Sequence, residues 1–178
     1  MNPRRFSLQP FPGTGLLPIK VTGSISRKVN IFNICYWLFG HIADLEVPAP
    51  AERPSRRIGL WEKTCFEFFI AERNSSRYWE FNLSPSGDWN VFRLESYRQN
   101  LVEETTFSIF PFSILKRSDS LRLVLEFDLS IIIPTDQALE IAISAVIKTG
   151  QGDVTLWALV HPGPEADFHR RDSFIIKC

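Results

Sequence analysis

The stretch Leu60-Trp61-Glu62-Lys63-Thr64-Cys65-Phe66-Glu67-Phe68-Phe69-Ile70, followed by Tyr78-Trp79-Glu80-Phe81-Asn82-Leu83-Ser84-Pro85-Ser86-Gly87-Asp88-Trp89, decides how this chain is read. Both halves alternate and are rich in aromatic residues, which is the pattern of β-strands. Yet Glu67, Glu80 and Asn82 stand inside those strands, where a plain sandwich carries Val or Thr. Burying a carboxyl or an amide is costly unless a partner meets it. The conflict between pattern and chemistry marks a binding surface.

The neighbouring segments extend the β reading. Ala71–Arg77 holds Asn74-Ser75-Ser76, and Pro85-Ser86-Gly87 makes a second turn, so 64–70, 78–84 and 88–94 form a meander. In Leu121–Leu129, Leu121, Leu123, Leu125 and Phe127 face one way, while Arg122, Glu126 and Asp128 face the other. Leu139–Lys148 and Val154–His161 are joined by Thr149-Gly150-Gln151-Gly152-Asp153, a hairpin signal. Further strands are predicted at 20–26, 29–39, 107–115 (broken by Pro111) and 173–177. Residues 95–106 are polar and read as a loop or one helical turn, and no segment keeps a helical period. The expected fold class is all-β: a two-sheet antiparallel β-sandwich, jelly-roll-like, with little helix. It is read as a single domain over 1–178, with an extended lead-in (1–18) and a Pro/Arg loop (47–57) that is mobile unless packed.

Composition bounds the function. A domain of 178 residues buries roughly 70% of its unfolded surface. Twenty basic and twenty acidic residues cancel, so charge gives no case for nucleic acid or an anionic membrane. Cys35, Cys65 and Cys178 are too few and too scattered for a disulfide framework. Met1–Phe6 lacks the apolar core of a signal peptide, and Arg4-Arg5 is followed by Pro10, Pro12 and Pro18 rather than an apolar helix. No stretch is long enough to span a bilayer. The expectation is a cytoplasmic protein without a cofactor.

The meander has two registers. Paired symmetrically about its turns, it puts Glu80, Asn82 and Ser84 on a face with Phe66, Phe68, Tyr78, Asn90 and Phe92. Glu67 then lies on the other face with Trp79, Phe81, Trp89, Val91 and Arg93. A slip of one residue places Glu67 beside Glu80. Either way one face mixes flat rings with carboxyl and amide groups, the mixture that takes up a sugar: rings meet its C–H faces, and polar tips meet its hydroxyls. The candidate ligand-binding residues are Trp61, Glu67, Glu80, Asn82, Ser84, Trp89, Arg93, Trp157, His161 and His169. The structural alternative makes Glu67 and Arg93 an ion pair that fixes register, leaves Glu80 and Asn82 to solvent, and uses the tryptophans as packing.

Other chemistries fit less well. His161, Asp167 and His169 are conceivable metal ligands, but their spacing matches no zinc pattern. Pro85-Ser86-Gly87 lacks the first glycine of a nucleophile elbow. Gly13-Thr14-Gly15 follows no strand, so it is no phosphate loop. Glu67 and Glu80 would serve glycoside hydrolysis if suitably separated.

With these residues in view, the chain resembles the DOMON-like group of bacterial proteins related to family-nine carbohydrate-binding modules. The resemblance lies in Gly59-Leu60-Trp61-Glu62, Thr64-Cys65-Phe66-Glu67, Glu80-Phe81-Asn82, Ser84-Pro85-Ser86-Gly87 and Trp89. It continues in Arg93, Tyr97-Arg98, Trp157-Ala158-Leu159, His161 and Asp167-Phe168-His169. It implies a single β-sandwich with a ligand pocket; related modules bind sugars, and other DOMON domains bind haem. Haem domains of that kind often use a methionine as an axial ligand, and the one methionine here is Met1. The expected function is a non-catalytic module for a saccharide or glycan-like small molecule. The alternatives are a protein-interaction or scaffold domain, a haem-binding domain, and a glycoside-acting enzyme.

Overall fold

The computed structural model describes residues 3–13 and 17–178, so Met1, Asn2 and residues 14–16 of the lead-in, including most of Gly13-Thr14-Gly15, lie outside the described residues. Thirteen strands are described: β1 (Arg4–Ser7), β2 (Gln9–Pro10), β3 (Lys20–Lys28), β4 (Ile31–Phe39), β5 (Cys65–Glu72), β6 (Tyr78–Leu83) and β7 (Trp89–Leu94). After them come β8 (Val102–Glu103), β9 (Phe112–Lys116), β10 (Ser120–Asp128), β11 (Leu139–Lys148), β12 (Val154–Ala158) and β13 (Ile176–Lys177). They form a five-stranded sheet, β1-β3-β4-β10-β9, and an eight-stranded sheet, β2-β12-β11-β5-β6-β7-β8, with β13 also on β11. Paired strands run antiparallel. The fold is an all-β two-sheet sandwich; among the described residues the helical segments are short 3-10 turns. No described helix is long and apolar enough to cross a membrane.

The sandwich core is aromatic. Leu121, Leu123, Leu125 and Phe127 of β10 meet Phe66, Phe68 and Ile70 of β5 and Trp79, Phe81 and Leu83 of β6. Phe68 stacks on Phe81 with centroids 4.4 Å apart, and on Phe32 at 5.5 Å. Such ring pairs stabilise by about 0.5–1.5 kcal/mol beyond their area. Phe107 and Phe110 also enter this core, while of the predicted 107–115 strand only Phe112–Leu115 pairs with a neighbour, the strand running on to Lys116. Pro111 has no N–H to give a ladder, so the strand begins after it.

The lead-in is less passive than its prolines imply. β1 edges the smaller sheet and β2 the larger, with Leu8 buried at the crossing. Phe6 lies opposite Gly23, and a Cβ on Gly23 would stand 2.3 Å from the Phe6 ring and 2.0 Å from the Cys35 carbonyl oxygen. The strand is therefore glycine there because a side chain would clash with the Cys35 carbonyl of the neighbouring strand and with the Phe6 ring.

The Pro/Arg loop is packed. Arg56 donates to the Asn90 side chain at 2.7 Å and to the carbonyls of Glu104 (2.9 Å) and Phe107 (2.7 Å). Its guanidinium also lies 4.4 Å from the centre of the Trp89 ring. Backbone bonds from Trp89 to Ser55 and from Arg57 to Trp89 complete the attachment.

The register of β5 on β6 is the slipped one. Ala71 pairs Tyr78 and Glu67 pairs Asn82, which corrects the symmetric pairing. β5 runs on to Glu72, and the connection turns at Asn74, which holds a left-handed φ of 68°. The physical reason is apolar: this register turns Phe66, Phe68 and Ile70 inward, whereas the symmetric one would drive Glu67 into the aromatic core. Glu67 and Arg93 consequently lie on opposite faces, and the ion pair between them does not form; Arg93 meets Glu95 at 3.4 Å and Glu104 at 3.9 Å. The β6–β7 pairing follows the expectation, with Asn82 opposite Asn90 and Phe81 opposite Val91.

Candidate functional site

Strands β5 and β6 are buried on both faces. Their outer face carries a second cluster, in which Phe69, Tyr78, Phe92, Leu94 and Ala142 pack with Phe174, and Phe168 lies against it. The C-terminal segment supplies Phe168 and Phe174 and covers one end of this face. Beside it opens a groove of about 390 Å³. Its floor holds Glu67 and Glu80, and Val146 of β11 with Val154 and Leu156 of β12 line one side. Trp61, Arg98, Leu101, Ala166, Phe168 and His169 form the rim.

Local structure brings each rim group in. Trp61 sits in a 3-10 turn entered through Gly59, whose φ of 76° suits glycine, and its ring meets Phe92 edge-on at 6.1 Å. Arg98 stands at φ 52° in the loop after β7, an unusual conformation for a residue with a side chain. Asp167 ties that loop to the C-terminal segment. It accepts from the Tyr97 hydroxyl (2.5 Å), from Arg98 Nη2 (2.9 Å) and from the His169 backbone N–H (3.0 Å). Against the cost of burial, the bonds from Tyr97 and Arg98 hold the Asp167 carboxyl below the usual range.

The floor is polar and under-satisfied. Asn82 Nδ2 donates to Glu80 Oε1 at 2.8 Å. Glu80 Oε2 and Asn82 Oδ1, with Ser144 Oγ of β11, are buried and have no hydrogen-bond partner among the described residues. His169 Nε2 lies 3.8 Å from Glu80 Oε2, beyond hydrogen-bond reach. Burial pushes the Glu67 carboxyl well above the usual carboxylate range, and Glu80 beside it adds to the rise. Burial also raises Glu80, although the Asn82 bond and the Arg98 charge pull it back. Both carboxyls thus favour the protonated form relative to water. His169 is pushed down to about 4 by burial and then by Arg98, so its ring is neutral at neutral pH.

Of the residues singled out in the sequence, Trp61, Glu67, Glu80 and His169 line the groove, and Asn82 lies beneath it, bonded to Glu80. Ser84 accepts from the backbone and hydroxyl of Ser86 in the turn after β6. Trp89 and Trp157 point inward to the core, and Trp157 Nε1 donates to Thr155. Arg93 faces Glu95 and Glu104. His161 meets the Gln9 carbonyl through Nε2 at 3.0 Å, with its ring edge-on to Phe11. Among the described residues no group of three or more His, Cys, Asp or Glu is placed to hold a metal. Val146, Val154 and Leu156 escaped the sequence reading because apolar residues on outward strand positions look like ordinary surface, and Leu101 and Ala166 escaped it because they lie in irregular segments. Arg98 and Phe168 were visible only as members of the segments Tyr97-Arg98 and Asp167-Phe168-His169.

No protein-family model matches the sequence, and no curated protein matches it. Solved structures share its fold. A "putative carbohydrate-binding protein" from Bacteroides uniformis aligns over 95% of this chain and 84% of its own, with TM-score 0.63 and 12% identity. A family-9 carbohydrate-binding module from Caldicellulosiruptor kristjanssonii, in complex with cellotriose, aligns over 99% of this chain and 81% of its own, with TM-score 0.57 and 10% identity. The same description with glucose covers 88% and 76%, with TM-score 0.51 and 10% identity. At these identities the likeness is one of fold.

Proposed function

We propose that this protein is a non-catalytic binding module for a saccharide or glycan-like small molecule, held in the groove on the outer face of the larger sheet. The observation that carries the reading is the Glu80–Asn82 pair: two strand residues whose outer oxygens are buried and unmet beside a wall of apolar side chains. A fold does not leave such groups unpaired without cost, about 1–3 kcal/mol each. Hydroxyls of a bound sugar would meet Glu80, which Asn82 orients from beneath, while Trp61, Leu156 and Phe168 offer apolar surface to its C–H faces. The shared fold with family-9 modules, whose described complexes hold cellotriose and glucose, supports the same reading.

Glu67 and Glu80 occupy neighbouring strands of one floor. Glycoside hydrolysis sets its two carboxyls on either side of the scissile bond. Two groups side by side under the ligand suit binding better than cleavage.

Isothermal titration calorimetry against mono- and disaccharides tests the proposal. At least one saccharide binds, and Glu80→Ala weakens it at least about tenfold, the effect of losing a hydrogen-bonded anchor. A blank across the panel, with an unchanged melting temperature, contradicts it.

A further inference from the structure

We propose that the saccharide taken by this groove carries a ring amine, and that its ammonium group rests on the Glu67–Glu80 pair. The inference deepens the saccharide reading of the same groove and depends on it.

The unmet atoms of the floor decide the chemistry. Asn82 Oδ1 is an acceptor, Glu80 Oε2 becomes one once its carboxyl ionises, and each is buried without a partner among the described residues. Glu80 itself is only 6% exposed and lines the groove. A floor of acceptors calls for donors. An ammonium brings three donors and no lone pair, whereas a hydroxyl brings one donor and two lone pairs that must be placed elsewhere.

Charge points the same way. Glu67 comes from β5 and Glu80 from β6, with Cys65 and Tyr78 on the same two strands. From the rim come Arg98, Asp167 and His169. Arg98 is the one permanent cation in that set, and it is spent on Asp167 at 2.9 Å. His169, neutral at neutral pH, reaches Glu80 Oε2 only to 3.8 Å. Arg98 therefore offsets the Glu80 charge only in part, and in the empty groove burial favours protons on both carboxyls, with Glu80 adding to the rise at Glu67. An arriving ammonium replaces a proton: the carboxyl ionises, its proton leaves to solvent, and a buried ion pair forms. The apolar wall of Val146, Leu156 and Phe168 keeps that pair out of water.

The test is calorimetry on the full chain with glucose, N-acetylglucosamine and glucosamine, three sugars that share a ring and differ at one substituent. Each is run at neutral pH in two buffers of different ionisation enthalpy. Glucosamine is expected to bind at least about tenfold tighter than the other two, the effect of one desolvated charge pair. Its apparent enthalpy shifts between buffers as a proton is released, and glucose shows no such shift. Glu80→Gln, which keeps shape and removes the charge, lowers glucosamine affinity at least about tenfold. If that variant does not fold, a fall in pH on the wild-type protein replaces it, weakening glucosamine, because protons compete for the same carboxyl, and sparing glucose. Glucose binding as tightly as glucosamine overturns the amine and leaves the saccharide reading standing. No binding by any of the three overturns both.

Discussion

The Tyr78 hydroxyl lies 2.9 Å from His169 Nδ1 and accepts the Arg98 backbone N–H at 3.2 Å. Its own proton is therefore free to go to Nδ1, which fixes the neutral imidazole with its hydrogen on Nε2, the nitrogen that faces Glu80. A hydrogen bond made on the closed side of the face thus sets which hydrogen the groove presents.

Tyr78→Phe tests that coupling. Removing the hydroxyl frees the ring to exchange tautomers and costs about 1 kcal/mol of stability. Nitrogen-15 correlation spectra of His169 show the Nε2–H tautomer in the parent protein and a mixture in the variant. A parent spectrum with the hydrogen on Nδ1 contradicts the arrangement.

Stability should vary with pH in opposite senses for the two kinds of buried group. His169 is lowered from 6.5 to about 4, so the unfolded chain binds more protons in that interval. Its contribution is complete above 6.5 and is lost as pH falls through about 4. Glu67 and Glu80 are raised from 4.5, so their contribution is complete below 4.5 and is lost as pH rises through their elevated values. The two trends oppose one another as pH rises from 4.5. Glu67→Gln therefore gains stability relative to the parent as pH rises from 4.5 through the elevated Glu67 value. His169→Gln gains relative to the parent as pH falls. Parallel curves for parent and Glu67→Gln contradict the placement of Glu67.

Arg56 holds the Pro/Arg loop to three partners and the Trp89 ring. Arg56→Ala leaves the Glu104 and Phe107 carbonyls without this donor, while Asn90 Oδ1 keeps the Val91 N–H, and costs roughly 2–4 kcal/mol in denaturant melts, given about 1.5–3 kcal/mol per charged hydrogen bond and incomplete additivity. Arg56→Lys recovers less than half, because an ammonium cannot reproduce the planar fork and the stack.

Much of this architecture was readable in the chain. The alternation of Leu121, Leu123, Leu125 and Phe127 gave the inward face of β10, and Gly150 and Gly152 gave the β11–β12 hairpin. Glu67, Glu80 and Asn82 stood out because polar groups broke an aromatic pattern. The register did not follow, since it turns on where the strand ends and on the left-handed Asn74. Trp89 and Trp157 read more readily as core or rim packing than as stacking platforms, and both are core. Arg98 and Phe168 reach the groove through irregular segments whose path carries no periodic signal. β1 and β2 are too short to show alternation and are held by pairing with distant strands.

Trp61 is 40% exposed at the rim and belongs to no core cluster. Trp61→Ala should leave the melting temperature within about 1 °C, as surface changes mostly do. It should weaken saccharide binding roughly tenfold through the lost ring contact. A large drop in melting temperature with unchanged affinity assigns Trp61 to packing instead.

Backbone amide mapping by two-dimensional NMR, as saccharide is added to the full chain, tests the central claim most directly. The account predicts shifts concentrated at Glu67, Glu80, Arg98, Phe168 and His169, with the inner-face residues Trp89 and Trp157 unmoved. Shifts centred on the outward face of the five-stranded sheet, around Trp37 and Arg122, or no shifts at any saccharide concentration, would contradict it.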